Sequence, residues 1–183
     1  MSHYYRFDPT VEIQSNACLC WAASLSSWLT CIYQAKGKVT SGTWSGKSAA
    51  TYGVMGGTAW SRDLKDQDEL IDQFSPNLDA NNGLTKAGLK DIYESMGMTY
   101  VLRTGGRINY AEITKLLKDS SHLYMAYFSH SMYHAVVVYG VSTTDGIAVM
   151  DPWPWEGLVH RKTSFFADPL RANKDVFIGW AMK

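Results

Sequence analysis

The sequence predicts an α+β domain, with helices first and antiparallel strands second, and three observations predict it. Apolar residues recur at helical intervals through the first two thirds of the chain. Short β-branched and aromatic runs replace that pattern after residue 122. Asp145-Gly146, between two of those runs, is a hairpin signal. Helices followed by strands describe a helical half and a sheet half. A cleft between the halves is the natural place for a site assembled from both.

The elements follow in order. Trp21, Leu25, Trp28, Leu29 and Ile32 share one face of a helix that begins near Cys20, with Ala22 and Ala23 allowing close approach, and Gly37 ends it. Residues 37 to 61 are rich in Gly, Ser and Thr and read as a long loop with room for a short helix. Residues 62 to 74 carry Leu64, Leu70, Ile71 and Phe74 on one side of a second helix closed by Pro76. A third helix fits Thr85 to Met96, capped by Thr85 and stopped by Gly97. Met98 to Arg103 alternates as a short strand, and Tyr110 to Lys118 is a helix with Ile113, Leu116 and Leu117 inward. Leu123 to Phe128, His134 to Val141, Gly146 to Met150, Leu158 to Arg161 and Val176 to Ala181 complete the pattern as strands.

The chain has 183 residues, which suits a single domain over 1–183 and is short for two. Apolar residues at 46% and charged residues at 19% exclude a disordered chain. The aromatic share of 13% implies a core of large rings or an aromatic-lined groove. Lys plus Arg and Asp plus Glu both number 17, so no net field draws the chain to nucleic acid or to an anionic membrane surface. No apolar run reaches the roughly 20 residues that span a bilayer. The start, Met-Ser-His-Tyr-Tyr-Arg-Phe-Asp, lacks the apolar stretch of a secretory signal. Cys18, Cys20 and Cys31 are odd in number and crowded, which is no disulfide framework and fits a reducing compartment such as cytoplasm. No second Cys or His pair answers Cys18 and Cys20, so neither zinc nor another metal or cofactor is expected.

The chemistry-bearing stretch is Gln14-Ser15-Asn16-Ala17-Cys18-Leu19-Cys20-Trp21-Ala22-Ala23. A thiol attacks a carbonyl only as thiolate, and free cysteine titrates near pH 8.5. At the first turn of a helix, Cys20 faces the positive end of the macrodipole, and a neighbouring imidazolium completes the activation. Gln14, six residues upstream, can donate with the Cys20 backbone N–H to an oxyanion. On this stretch alone, a small buried core cysteine explains Cys20 equally well.

His134 opens the run Ala135-Val136-Val137-Val138-Tyr139-Gly140, and the run after Asp145-Gly146 ends at Asp151-Pro152-Trp153. Folding the two into a hairpin brings His134 and Asp151 to its open end, with a bulge or twist absorbing their unequal distances from the turn. An aspartate there accepts from one imidazole nitrogen and leaves the other for sulfur. His122 and His130 compete for the histidine role, with His130, between two serines, reading as an exposed turn. Cys18 reads as structural or incidental and Cys31 as core.

With those residues in hand, the sequence resembles the papain-like cysteine protease superfamily. The family's oxyanion glutamine before Cys-Trp-Ala is matched by Gln14 and Cys20-Trp21-Ala22, its histidine strand by His134 to Gly140, and its Asn/Asp with a shielding Trp by Asp151 and Trp153. The upstream cysteine stands two rather than three residues before the nucleophile, and the histidine is nearer than the roughly 130–150 residues of the papain and cathepsin pattern. The compact size and Asp-Pro-Trp ending look more like bacterial effector proteases of the AvrRpt type and bacteriocin-leader peptidase domains. The resemblance implies a papain-like fold and an endopeptidase with Cys20 as nucleophile, His134 as base, Asp151 as orienting group, and Trp21 and Trp153 in support. It implies a protein or peptide substrate and an effector or interbacterial toxin, made in bacterial cytoplasm and delivered into a target cell, with an immunity protein as a further partner. A side-chain amidase, deamidase or acyltransferase would use the same triad. A peptide-binding module without catalysis is the third reading.

Overall fold

Side chains that alternate along the second half of the chain build one antiparallel sheet with helices on both of its faces. The computed structural model describes residues 3–16, 18–35, 66–79, 83–104, 108–129, 132–166 and 175–181. In chain order these form β1 (His3–Tyr5), α1 (Cys20–Ala35), α2 (Gln67–Phe74), α3 (Lys86–Ser95), β2 (Thr99–Thr104), α4 (Tyr110–Asp119), β3 (Leu123–Ser129), β4 (Met132–Ser142), β5 (Gly146–Asp151), β6 (Gly157–Arg161), α5 (Thr163–Phe166) and β7 (Asp175–Trp180). The strands run in the order β2-β7-β3-β4-β5-β6, and β1 pairs with β4. All of these pairings are antiparallel.

The period of two sorts the core into two layers. Tyr124, Ala126, Ala135, Val137, Met150 and Phe177 pack with α1, α2 and α3. Their neighbours in sequence, among them Met125, Tyr127, Val136, Val138, Val149 and Ile178, pack with Ile113 and Leu117 of α4 and Phe166 of α5. The α+β class and antiparallel sheet are as expected. The helices do not form one separate half, however: α4 and α5 cover the sheet face opposite α1.

Most boundaries agree with the sequence pattern. Thr85 caps α3 through its hydroxyl, which accepts from the Gly88 N–H at 3.0 Å, and Gly97 follows the helix with φ +58°. Asp66 and Glu69 cap α2 reciprocally, and Pro76 lies in the 3₁₀ turn Ser75–Asn77 that follows. Residues 36–65, with the expected loop over 37 to 61, the helix end at Gly37 and the first turn of the helix expected from 62, lie outside the described residues, as does His130. Two elements were not expected. The strand β1 joins β4 at Gly140–Ser142, beyond Val138, the last β4 residue in the ladder with β3. A Cβ on Gly140 would lie 2.1 Å from the Tyr5 ring, so only glycine admits that ring. The second, α5, is a single turn that delivers Phe166 to the core.

The hairpin between β4 and β5 sets the position of the site. Ser142 Oγ donates to the Asp145 carboxylate at 2.8 Å and accepts from the Thr144 and Asp145 N–H groups, closing the turn. Gly146 starts β5 at φ +115°. The register shifts between Val138 and Gly140, leaving Tyr139 as an extra residue in β4. This one-residue bulge absorbs part of the unequal spacing, and with Val137 opposite Met150, His134 and Asp151 sit diagonally rather than directly opposite each other.

Candidate active site

One buried helix and one hairpin place the three predicted groups together. Cys20 is the first residue of α1, and the preceding turn is organised by Asn16. The Asn16 side-chain oxygen accepts from the Cys18 N–H at 3.0 Å, and its carbonyl accepts from the Leu19 N–H at 3.2 Å. The first N–H groups of a helix have no intrahelical acceptor, so the Cys20 N–H belongs to the positive end of α1. No acidic side chain occupies that first turn.

Two contacts hold α1 along β4. The Cys20 sulfur lies 3.7 Å from the Tyr133 carbonyl oxygen, and Ser24 Oγ donates to the Ala135 carbonyl at 2.8 Å. Four helical residues rise about 6 Å, and two strand residues advance about 6.6–6.8 Å. One helical turn therefore matches one strand repeat, which sets Cys20 beside His134. Further along, Trp28 Nε1 donates to the His122 carbonyl at 3.0 Å and Ser27 Oγ to the Thr10 carbonyl at 2.7 Å. The helix is buried from Cys20 to Ile32, and its hydroxyls fasten it to its surroundings.

His134 Nε2 lies 2.8 Å from Asp151 Oδ1. Asp151 Oδ1 also accepts from the Trp153 N–H at 3.1 Å. With Nε2 engaged, Nδ1 is the nitrogen left to face the Cys20 sulfur, which favours charge on the imidazole. Burial opposes charge on His134, but the hydrogen bonds to Asp151 and Cys20 prevail and raise its pKa to about 10. Burial likewise opposes ionisation of Asp151, yet the His134 hydrogen bond, His134 charge, Trp153 N–H and Arg161 together hold its carboxyl below the usual range. An imidazolium between a carboxylate and a sulfur is therefore favoured around neutral pH.

Two rings fix the imidazole. Tyr127, opposite His134 in the β3–β4 ladder, stands edge-on at 5.5 Å between centroids. Trp153 stands edge-on at 6.3 Å and is 45% exposed, so it forms the solvent-facing wall beside His134. Trp21 does something different: it is buried in the core, where it packs edge-on against Phe74 of α2 at 6.1 Å. Its carbonyl accepts from the Tyr124 hydroxyl at 3.3 Å, which anchors the first turn of α1 to β3.

Gln14 is buried. Its backbone N–H donates to the Pro152 carbonyl at 3.0 Å, and its Nε2 donates to the Asn16 carbonyl at 2.7 Å. A carboxamide nitrogen carries two protons, of which this bond uses one, and Gln14 Oε1 is buried without a hydrogen-bond partner among the described residues.

The other candidates lie elsewhere. His122 is buried, with Nδ1 2.7 Å from the Ser121 hydroxyl and Nε2 2.8 Å from the Phe7 carbonyl. Burial chiefly lowers its pKa to about 4. Cys31 is buried in α1, and burial pushes its thiol well above the usual range. Cys18, half-buried, is a free thiol.

Arg161, Tyr127 and Asn16 escaped the sequence reading. Arg161 ends β6 and sends Nη2 to 3.6 Å from Asp151 Oδ2 and 2.9 Å from Glu156 Oε2. Its only sequence signal is a charge two residues beyond Val159 on an alternating strand. Glu156 reaches it through the turn after Asp151, closed by its own N–H on the Trp153 carbonyl at 3.0 Å. Within that turn, Trp155 is 99% exposed and adopts φ +77°, a costly conformation for a bulky residue.

Among the described residues, no group of three or more His, Cys, Asp or Glu is placed to hold a metal ion. No helix among them is long and apolar enough to cross a membrane. No family model matches the sequence, and no curated protein matches it. Among solved structures, the chain is similar to the peptidase domain of Streptococcus ComA, a bi-functional ABC transporter involved in a quorum-sensing pathway. The two share 15% identity at a TM-score of 0.48, over 97% of this chain and 100% of that one.

Proposed function

We propose that this chain is a papain-like cysteine hydrolase that cleaves peptide bonds in a protein or peptide substrate. The observation that carries the reading is a single imidazole bonded to Asp151 through Nε2 at 2.8 Å, on the strand residue that follows Tyr133, whose carbonyl lies 3.7 Å from the sulfur of Cys20. That sulfur stands at the N-terminus of a buried helix.

In this reading the Cys20 proton resides on His134 Nδ1, and the thiolate adds to the substrate carbonyl carbon. Charge that develops on the carbonyl oxygen is met by the Cys20 N–H and the free proton of Gln14 Nε2. His134 gives its proton to the departing amine as the C–N bond breaks, leaving a thioester on Cys20. A water then gives its proton back to His134, adds to the thioester and releases the acid, restoring the thiolate. Asp151 holds the ring in the tautomer that serves both transfers, and Trp153 limits water at that hydrogen bond.

The test is incubation of the purified protein with a mixed peptide library, reading new termini by mass spectrometry beside the Cys20→Ala variant. Cleavage by the wild type and none by Cys20→Ala is the expected result. Equal cleavage by both, or products formed only by loss of side-chain ammonia, would contradict it.

A further inference from the structure

We propose that Arg161 is a positioning residue of the Cys20–His134–Asp151 site, holding the Asp151 oxygen that His134 does not use. The inference rests on the thiol chemistry proposed above.

The two carboxylate oxygens of Asp151 have divided tasks. Oδ1 serves His134 Nε2 at 2.8 Å and the Trp153 N–H at 3.1 Å. Oδ2 faces Arg161 Nη2 at 3.6 Å, an ion-pair contact longer than a hydrogen bond. The Asp151 side chain is only 5% exposed and that of Arg161 21%, so solvent screens the pair weakly. A buried carboxylate with one oriented oxygen and one free oxygen could rotate or take a proton. A guanidinium on the second oxygen opposes both changes.

Arg161 is itself fixed in place. It lies opposite Ile147 in the β5–β6 ladder, on the sheet face that carries Val149 and Val159. Phe165 of α5 lies under its guanidinium at 4.8 Å, and Glu156 binds Nη2 at 2.9 Å. Its Nε is buried without a hydrogen-bond partner among the described residues, which a merely solvated arginine would avoid. The groups that face Asp151 are thus His134 from β4, Tyr127 from β3, Arg161 from β6 and the Trp153 N–H, with Cys20 beyond His134 and Glu156 beyond Arg161.

If Arg161 keeps Asp151 ionised, it also determines how far into acid the imidazolium retains its anionic partner. An opposite charge at this range lowers a carboxyl pKa by roughly 1–3 units. Without Arg161, Asp151 takes a proton at higher pH, the imidazolium weakens, and the thiolate fraction falls with it.

The measurement is the rate of Cys20 carboxamidomethylation by iodoacetamide between pH 4 and 9, resolved by peptide from Cys18 and Cys31. The wild-type Cys20 should react well into acid. Arg161→Met should move the acid limb upward by about one pH unit, and Arg161→Lys should restore most of it. In an Asp151→Asn background, adding Arg161→Met should move the limb no further. Glu156→Gln, on a side chain 38% exposed, removes the competing anion and should shift the limb slightly the other way, an arm that survives if Arg161→Met does not fold. Uniform slowing at all pH by Arg161→Met, or an equal shift in the Asp151→Asn background, would make Arg161 a strand residue only and overturn the proposal. So would an upward shift, or none, in Glu156→Gln. A wild-type Cys20 that reacts only near and above pH 8, as a free thiol does, would remove the thiol chemistry itself and this inference with it.

Discussion

The backbone N–H of Gln14 donates to the carbonyl of Pro152 at 3.0 Å, so the segment before the nucleophile helix is tied to the turn that carries Asp151. The tie is made by main chain, and a side-chain change at Gln14 leaves it intact. Gln14→Ala therefore isolates the amide. Its maximal rate should fall by on the order of 10²–10³ with little change in KM, since an oxyanion donor acts mainly in the transition state. Steady-state kinetics on any peptide the library assay yields will check this. An unchanged kcat in a folded variant would make Gln14 an ordinary loop residue.

Asp151 should tolerate neutrality better than removal. Asparagine keeps an oxygen for His134 Nε2 and the Trp153 N–H, but turns an amide toward Arg161. Activity should rank wild type, then Asp151→Asn, then Asp151→Ala. The loss in Asp151→Asn should stay below the roughly 10⁴-fold that the equivalent change costs a serine-protease triad, because a thiolate–imidazolium pair is already ionised before attack. Initial rates near neutral pH, with circular dichroism to verify the fold, give the order. Alanine equal to wild type would reduce Asp151 to a strand-ending residue.

Buried His122 and half-buried Glu12 should oppose each other in acid. His122 is held neutral, with a pKa lowered chiefly by burial from 6.5 to about 4. As pH falls through that window the unfolded chain gains a proton that the folded protein does not, so stability decreases. Glu12 is raised chiefly by burial from 4.5 to about 7. Across that interval the folded protein takes the proton first, so stability increases as pH falls. His134 adds little in this range, being protonated in both states below about 6.5, and its stabilisation is lost progressively as pH rises from about 6.5 to about 10. Thermal melting at pH 7, 6, 5 and 4 should show a steeper decline toward acid for Glu12→Gln than for wild type. His122→Asn should show a shallower decline or a rise. Three parallel profiles would contradict both assignments.

Much of this was legible because the relevant signals are local. Gln14 and Cys20-Trp21-Ala22 lie in one short stretch, and the sheet-forming runs are β-branched with clear punctuation. Counting residues on either side of the turn called for a bulge or a twist, and the bulge at Tyr139 supplies one residue of that difference. What escaped reading depends on tertiary partners. Ser24 and Ser27 look like the polar side of an amphipathic helix, yet both are buried with backbone acceptors across the fold. The three residues of β1 are too few for a period, and their place is set by Gly140, far along the chain. Arg161 reads as a solvated strand end because nothing in its neighbourhood in sequence announces Asp151. The covering of the second sheet face by α4 was hidden for the same reason: Ile113 and Leu117 announce an apolar face without naming what it meets.

The central claim is that Cys20 is an activated thiol made so by His134. Its most direct test is covalent labelling at pH 6 by an epoxysuccinyl peptide of the kind that alkylates papain-like enzymes, with the adduct located by tandem mass spectrometry. One adduct on Cys20 of the wild type, formed far more slowly in His134→Ala and unaffected in Cys31→Ser, is the predicted result. No adduct, an adduct on Cys18 instead, or equal rates in wild type and His134→Ala would contradict it.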